Sequence, residues 1–204
     1  MKISGLFFLM LFCFSSCVSI TEKPLPIYGY KEFDDLQEND TLYHTIPKWS
    51  FVNQYGEQVN SSFYEGEIYV VYFFFSHCPT ICPAMTMNMV KLQQQTTALD
   101  IKFLSFTVDP KKDSSERLFW YQDAFGINGE NWNLLTGNQN AIYSLGVNGF
   151  LVPNQEDALA PGGFLHSEKI MLIDSKGRIR GYYDGTDEDQ VAVILNDISR
   201  LKQE

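Results

Sequence analysis

The sequence predicts an α/β fold with a parallel sheet core closed by one antiparallel pair. Three observations predict it. An unbroken apolar run, 68–75, and a second, mostly apolar run, 101–108, have the length and composition of strands buried in a sheet. Helical segments follow both runs, so the chain must cross over the sheet and return parallel. Two later runs, 169–173 and 178–183, flank Asp174-Ser175-Lys176-Gly177, the pattern of an antiparallel hairpin.

The elements follow in order. Lys2 precedes an apolar run over 3–14, broken at Ser4 and Gly5, and Ser15, Ser16 and Cys17 come next. A basic start, an apolar stretch shorter than the roughly 20 residues a spanning helix needs, and small residues at a cut point make an export signal. Phe14-Ser15-Ser16-Cys17 resembles a lipoprotein processing box, with Phe14 where Leu is commonest. That resemblance implies a signal peptide over 1–16, lipid on Cys17, and a periplasmic-side, membrane-anchored lipoprotein. An ordinary signal peptide or a short uncleaved anchor would export the domain equally.

Residues 17–43 read as a membrane tether. They hold Pro24, Pro26 and the acidic residues Glu32, Asp34, Asp35, Glu38 and Asp40. Tyr28, Tyr30 and Phe33 suit a part that packs on the domain. The domain proper is expected over 44–204. It opens with a strand at 47–52, a turn at Asn53-Gln54-Tyr55-Gly56 and a return strand near 58–60. A helix fits 81–97, with Pro83 tolerated only in its first turn and Met85, Met89 and Leu92 on its apolar face. After the second buried strand, Ser114 or Ser115 can cap a helix reaching Phe125. A short strand at 132–135 and a helix at 138–145 come next. In the last helix Val191, Ile194, Leu195, Ile198 and Leu201 form one stripe. Thr186 stands where its N-cap belongs, and Asp187, Glu188 and Asp189 suit the helix dipole.

A net charge of -10 excludes nucleic acid, whose phosphates need a basic face. Four cysteines are present. Cys13 falls in the signal and Cys17 would carry lipid, so the domain keeps Cys78 and Cys82. One close pair is no disulfide scaffold. It sits where a buried strand passes into a helix, the expected place for chemistry in such a sheet. Four residues apart, the two share a helix face, and a helix N-terminus favours thiolate. Two thiolates select soft ions, Cu(I) above all and also zinc. Thiol-disulfide enzymes prefer C-x-x-C, and a structural zinc would need four ligands. A plain structural disulfide closing so short a loop would constrain little of the unfolded chain. Three histidines could add a nitrogen. His77 abuts Cys78 but points to the opposite face of a strand end, as an exposed or supporting group. His44 reads as solvated at the tether boundary. His166 follows Pro161-Gly162-Gly163, and spacing leaves it open between ligand and ordinary loop residue.

The run Phe74-Phe75-Ser76-His77-Cys78-Pro79-Thr80-Ile81-Cys82-Pro83 resembles the signature of the Sco/SenC copper proteins. Thr107-Val108-Asp109-Pro110-Lys111-Lys112-Asp113, Trp132 to Gly137, and His166-Ser167 before Met171-Leu172-Ile173-Asp174 agree in order. The resemblance implies a thioredoxin-like fold with a central mixed sheet, an N-terminal β-hairpin and an inserted β-hairpin. It implies copper, Cu(I) or Cu(II), held by Cys78, Cys82 and His166. It implies delivery of copper to the binuclear copper site of a cytochrome c oxidase subunit, or reduction of that site's thiols, with the oxidase subunit or another copper or thiol protein as partner. Thr80 stands at a position often acidic in that family. Two other readings use the same residues: a thiol-disulfide oxidoreductase with Cys78 as nucleophile and Cys82 as resolving thiol, or a thiol peroxidase.

Overall fold

The computed structural model describes residues 23–33 and 41–204. The signal read over 1–16, Cys13, Cys17 and the acidic residues Asp34, Asp35, Glu38 and Asp40 lie outside the described residues. The chain opens with two short hairpins, β1 (Lys31–Phe33) on β2 (Thr41–Tyr43) and β3 (Ser50–Val52) on β4 (Gln58–Asn60). The core then runs β5 (Tyr69–Phe74), α1 (Cys82–Gln95), β6 (Lys102–Thr107), α2 (Ser115–Phe125), β7 (Trp132–Leu135) and α3 (Gln139–Ser144). A hairpin of β8 (Asn154–Glu156) and β9 (Phe164–His166) interrupts it. β10 (Lys169–Ile173), β11 (Ile179–Asp184) and α4 (Gln190–Leu201) complete it.

The central sheet has the order β11-β10-β5-β6-β7. β5, β6 and β7 run parallel, and β10 lies antiparallel to both β5 and β11. This is the thioredoxin-like mixed sheet that the residue pattern and the resemblance lead one to expect. All six residues of β5 are buried, as a central strand between helix layers requires. An aromatic stack ties the outer hairpin to the sheet: Phe106 meets Trp49, Phe51, Phe73 and Phe150 at ring distances of 5.3, 5.7, 5.4 and 5.7 Å.

Some boundaries moved for physical reasons. The first domain strand begins at Ser50 rather than 47, and Pro47 has no N–H to give a ladder. Ser114 is the cap of α2, its side chain accepting from the Arg117 N–H, and Gly126 ends that helix at φ 66°. α3 stops at Ser144 and widens into a π turn over Leu145–Gly149. Thr186 does not cap α4, which starts at Gln190. Its N–H and hydroxyl instead donate to the Asp184 carboxylate at 2.9 and 2.7 Å, a local turn that wins over the cap.

The segment read as tether is partly built into the domain. Leu25 is buried, and the Tyr28 N–H bonds to the Ile179 carbonyl along the outer edge of β11. Buried Arg180 holds it there, donating to the carbonyls of Leu25 and Pro26 and pairing with Asp174 and Glu204. His44 is not simply solvated: its Nε2 lies 2.7 Å from the Gly149 carbonyl and donates to it.

Candidate metal centre

β5 ends at Phe74, and the chain turns through the cysteine loop into α1. The Cys78 N–H closes that turn on the Phe75 carbonyl at 3.2 Å. Cys82 is the first residue of α1, followed by Pro83 where no N–H is needed. Met85, Met89 and Leu92 are fully buried beneath it. The Thr86 hydroxyl donates to the Cys82 carbonyl at 2.8 Å. Its single proton is then spent, so Tyr72 and Tyr121, at 2.8 and 2.7 Å, both donate to it. Three buried hydroxyls thus pin the helix start to the sheet.

The hairpin β8–β9 brings His166 over this helix start. His166 ends β9 opposite Asn154, and its ring meets Phe75 edge-on at 5.6 Å. The turn before β9 closes on the cysteine loop at Gly162, whose φ is +77°. A Cβ there would lie 2.8 Å from the Phe75 ring and 3.1 Å from Pro79, so the approach requires glycine.

The result is a three-sided centre. The ligand atoms of Cys78, Cys82 and His166 all lie within 4.8 Å of one another. Cys82 Sγ and His166 Nε2 are 3.2 Å apart. His166 Nδ1 lies 3.0 Å from the Ser167 carbonyl, which can only accept, so Nδ1 carries the proton. The Nε2 lone pair therefore faces the sulfurs, the tautomer a metal ligand needs. Both cysteines are free thiols.

The two sulfurs differ sharply. Cys82 is fully buried, and burial, reinforced by the charge of Cys78, raises its thiol far above the ordinary range. Cys78 is 9% exposed, and the hydrogen bond from the Cys82 thiol, with further ones from the backbone N–H groups of Cys82 and Thr80, draws it far below that range. The pair shares one proton, held by Cys82 and aimed at Cys78 or His166. This corrects the expectation that the helix start favours thiolate at both positions. At Cys82, the helix residue, burial outweighs the dipole, and the thiolate sits in the loop instead. Alkylation checks the sign. With its ionisation already complete, Cys78 of the reduced protein reacts with iodoacetamide at a rate that changes less than about twofold from pH 6 to 8. An ordinary thiol gains about tenfold per unit there. Mass mapping places the adduct on Cys78, with Cys82 protected by burial.

The structure brings together all three ligands read from the sequence and leaves the other histidines outside. His77 is turned away, 3.2 Å from Asp109 Oδ2 and 3.2 Å from Lys112 Nζ. Sequence reasoning missed the groups beneath the loop. Asp113, wholly buried, accepts from the N–H and hydroxyl of Ser76 and from the hydroxyl of Thr107. In the sequence Asp113 stands only as the end of the block from Thr107, and nothing in its spacing gives it a partner 37 residues away.

Residues 37–203 match the family model for SCO1/SenC. The chain is similar to a SCO1/SenC family lipoprotein from Bacillus anthracis, with a TM-score of 0.73 and 32% identity over 78% of this chain and 95% of that one. It is also similar to BsSco, described as a member of the Sco family of cytochrome c oxidase assembly proteins with a disulfide switch. There the TM-score is 0.69 and the identity 28%, over 82% of this chain and 99% of that one. Yeast Sco1, solved with copper bound, shares the fold at a TM-score of 0.62 and 21% identity, over 76% and 89% of the two chains. With its mixed sheet, its hairpin-borne histidine and a family match across most of its length, the chain belongs to the SCO1/SenC family.

Proposed function

We propose that this chain carries one copper ion on Cys78, Cys82 and His166 at the outer face of a membrane. Its role there is in cytochrome c oxidase assembly, handing the ion to the binuclear copper site or keeping that site's thiols reduced. The observation that carries the reading is the convergence of two sulfurs and the bare Nε2 of His166 within 4.8 Å. Soft sulfur with borderline imidazole serves both Cu(I) and Cu(II), and copper here is cargo rather than a catalyst. Cys82 forms the buried back of the centre, and Cys78 and His166, each 9% exposed, its front edge. A receiving protein's ligand would meet the ion on the side of Cys78 and His166 and displace these ligands in steps. No turnover of the protein's own is needed.

The rest of the placement follows from the export signal. Residues 1–16 would be removed, Cys17 would carry the lipid, and the chain up to about residue 24 would space the domain from the bilayer. The lipoprotein relative supports this reading.

A second reading, a thiol-disulfide oxidoreductase, is favoured by one observation, the asymmetry between Cys78 thiolate and Cys82 thiol. Copper titration into the full chain, reduced and held in detergent, separates the two. The copper reading expects one tight equivalent and, with Cu(II), a sulfur-to-copper charge-transfer band. Absence of binding together with reduction of insulin disulfides would replace it with the second reading.

A further inference from the structure

The loop that carries Cys78 is held from below by a buried charge. Asp113 lies at the start of α2 with 0% exposure. Its carboxylate accepts the Ser76 N–H at 3.0 Å, the Ser76 hydroxyl at 2.6 Å and the Thr107 hydroxyl. The His77 ring approaches it only to 4.0 Å at Nδ1, beyond hydrogen-bond reach. A buried carboxylate held mainly by neutral donors is costly, and an apolar side chain would fill the space more cheaply. What the carboxylate supplies instead is direction. Ser76 Oγ also accepts from Arg117 Nε at 2.8 Å, and the same guanidinium reaches the Ser76 carbonyl at 3.5 Å while lying over Trp120. Every polar atom of Ser76 is thereby engaged, two residues before Cys78.

The other cysteine is fixed independently, through the Thr86 hydroxyl on its carbonyl. A disulfide needs Cβ atoms about 3.5–4.5 Å apart. The two sulfurs are unbonded, and with Cys82 pinned, their approach to an S–S bond of about 2.05 Å draws on the Cys78 loop, which hangs from Ser76, Asp113 and Arg117.

We propose that Asp113 is a positioning residue: through Ser76 it holds Cys78 at the open spacing that receives an ion, against collapse of the pair into a disulfide. The ion-receiving half of this statement rests on the copper reading above; the disulfide half does not. In closure the Cys78 thiolate and the Cys82 thiol give up two electrons and the one proton they share. Glutathione disulfide, as oxidant, takes them as its S–S bond breaks into one glutathione thiol and one glutathione thiolate, which draws its proton from solvent, and the Cys78–Cys82 bond forms.

The experiment uses the full chain in detergent with Asp113→Asn, Ser76→Ala and a control, Ile198→Ala, which removes buried volume from α4 away from the centre. Two quantities are read: the dithiol–disulfide equilibrium in glutathione redox buffer, and Cu(I) affinity by competition with a chromophoric chelator. For Asp113→Asn the equilibrium is expected to move about 10-fold toward the disulfide, a potential about 30 mV more negative. Copper affinity is expected to fall about 10-fold, the low end for loss of a supporting group. Ser76→Ala moves both the same way by about threefold, because the Ser76 N–H bond to Asp113 survives. It carries the test should Asp113→Asn not fold. Ile198→Ala lowers stability and leaves both readings in place. If the clamp variants change stability as the control does, with both readings within about twofold of the parent, the positioning role is overturned. If the parent itself binds no copper, the copper reading falls, and the glutathione equilibrium alone decides the clamp.

Discussion

Replacing His166 with alanine lowers copper affinity at least about 100-fold, while both thiols remain. Loss of an outer supporting group typically costs 10- to 100-fold at a metal centre, and loss of a ligand exceeds that. His166 is the one nitrogen in the three-ligand group, and its Nε2 stands 3.2 Å from Cys82 Sγ. The charge-transfer band of the Cu(II) form should weaken and shift as water or solvent replaces the imidazole. The measurement is a chelator competition for Cu(I) and an absorption spectrum for Cu(II). Affinity within about threefold of the parent would remove His166 from the ligand set, leaving a two-sulfur site. The fold should survive, because β9 makes only three ladder pairs and the ring lies at the surface of the core rather than in it.

The largest stability effect is expected at Phe106. Phe106→Ala costs about 3–5 kcal/mol, the range for emptying a buried aromatic position. The ring is fully buried and touches four others, from β3, β5 and the segment after the π turn. Its loss therefore loosens the outer hairpin and the approach to β8 together. Urea unfolding monitored by tryptophan fluorescence reads the change, since Trp49 lies 5.3 Å from the ring. Phe119→Ala, at a ring 48% exposed, should change stability by less than about 0.5 kcal/mol. A similar loss at both positions would mean that the stack does not organise the core.

Much of this architecture is legible before any coordinate is known. The run 68–75 had to become a central strand, because only a strand covered on both faces can bury eight consecutive apolar residues, and the mostly apolar 101–108 takes its place beside it. They became β5 and β6, paired in parallel from Tyr69↔Lys102 to Phe74↔Thr107. The stripe through Val191, Ile194, Ile198 and Leu201 became the buried face of α4. Local signals were weaker where two side-chain bonds competed, as when Asp184 captured Thr186 from its cap. They were silent at β8–β9, two three-residue strands with no alternating pattern of their own.

The candidate centre divides in the same way. Cys78 and Cys82 could be singled out from the chain alone, as the two thiols of the folded domain at a strand-to-helix passage. Short-range geometry sufficed, because four residues of chain cannot separate them far. His166 could not be placed by spacing, since it stands 84 positions from Cys82 and only the closed sheet and its inserted hairpin bring it to 3.2 Å. The order of the sulfurs was likewise a tertiary decision. The sequence set both near a helix start, where the dipole favours thiolate, but only folding decides which one is buried, and burial is the larger effect. The same holds for Asp113 and Ser76, chain-distant groups whose bond exists because β5 and β6 lie side by side. What the sequence determined by itself was the element order and the sulfur pair, both set by nearby residues. What the tertiary structure decided was the nitrogen, the proton between the sulfurs and the clamp beneath them, because each depends on groups that only long-range packing brings together.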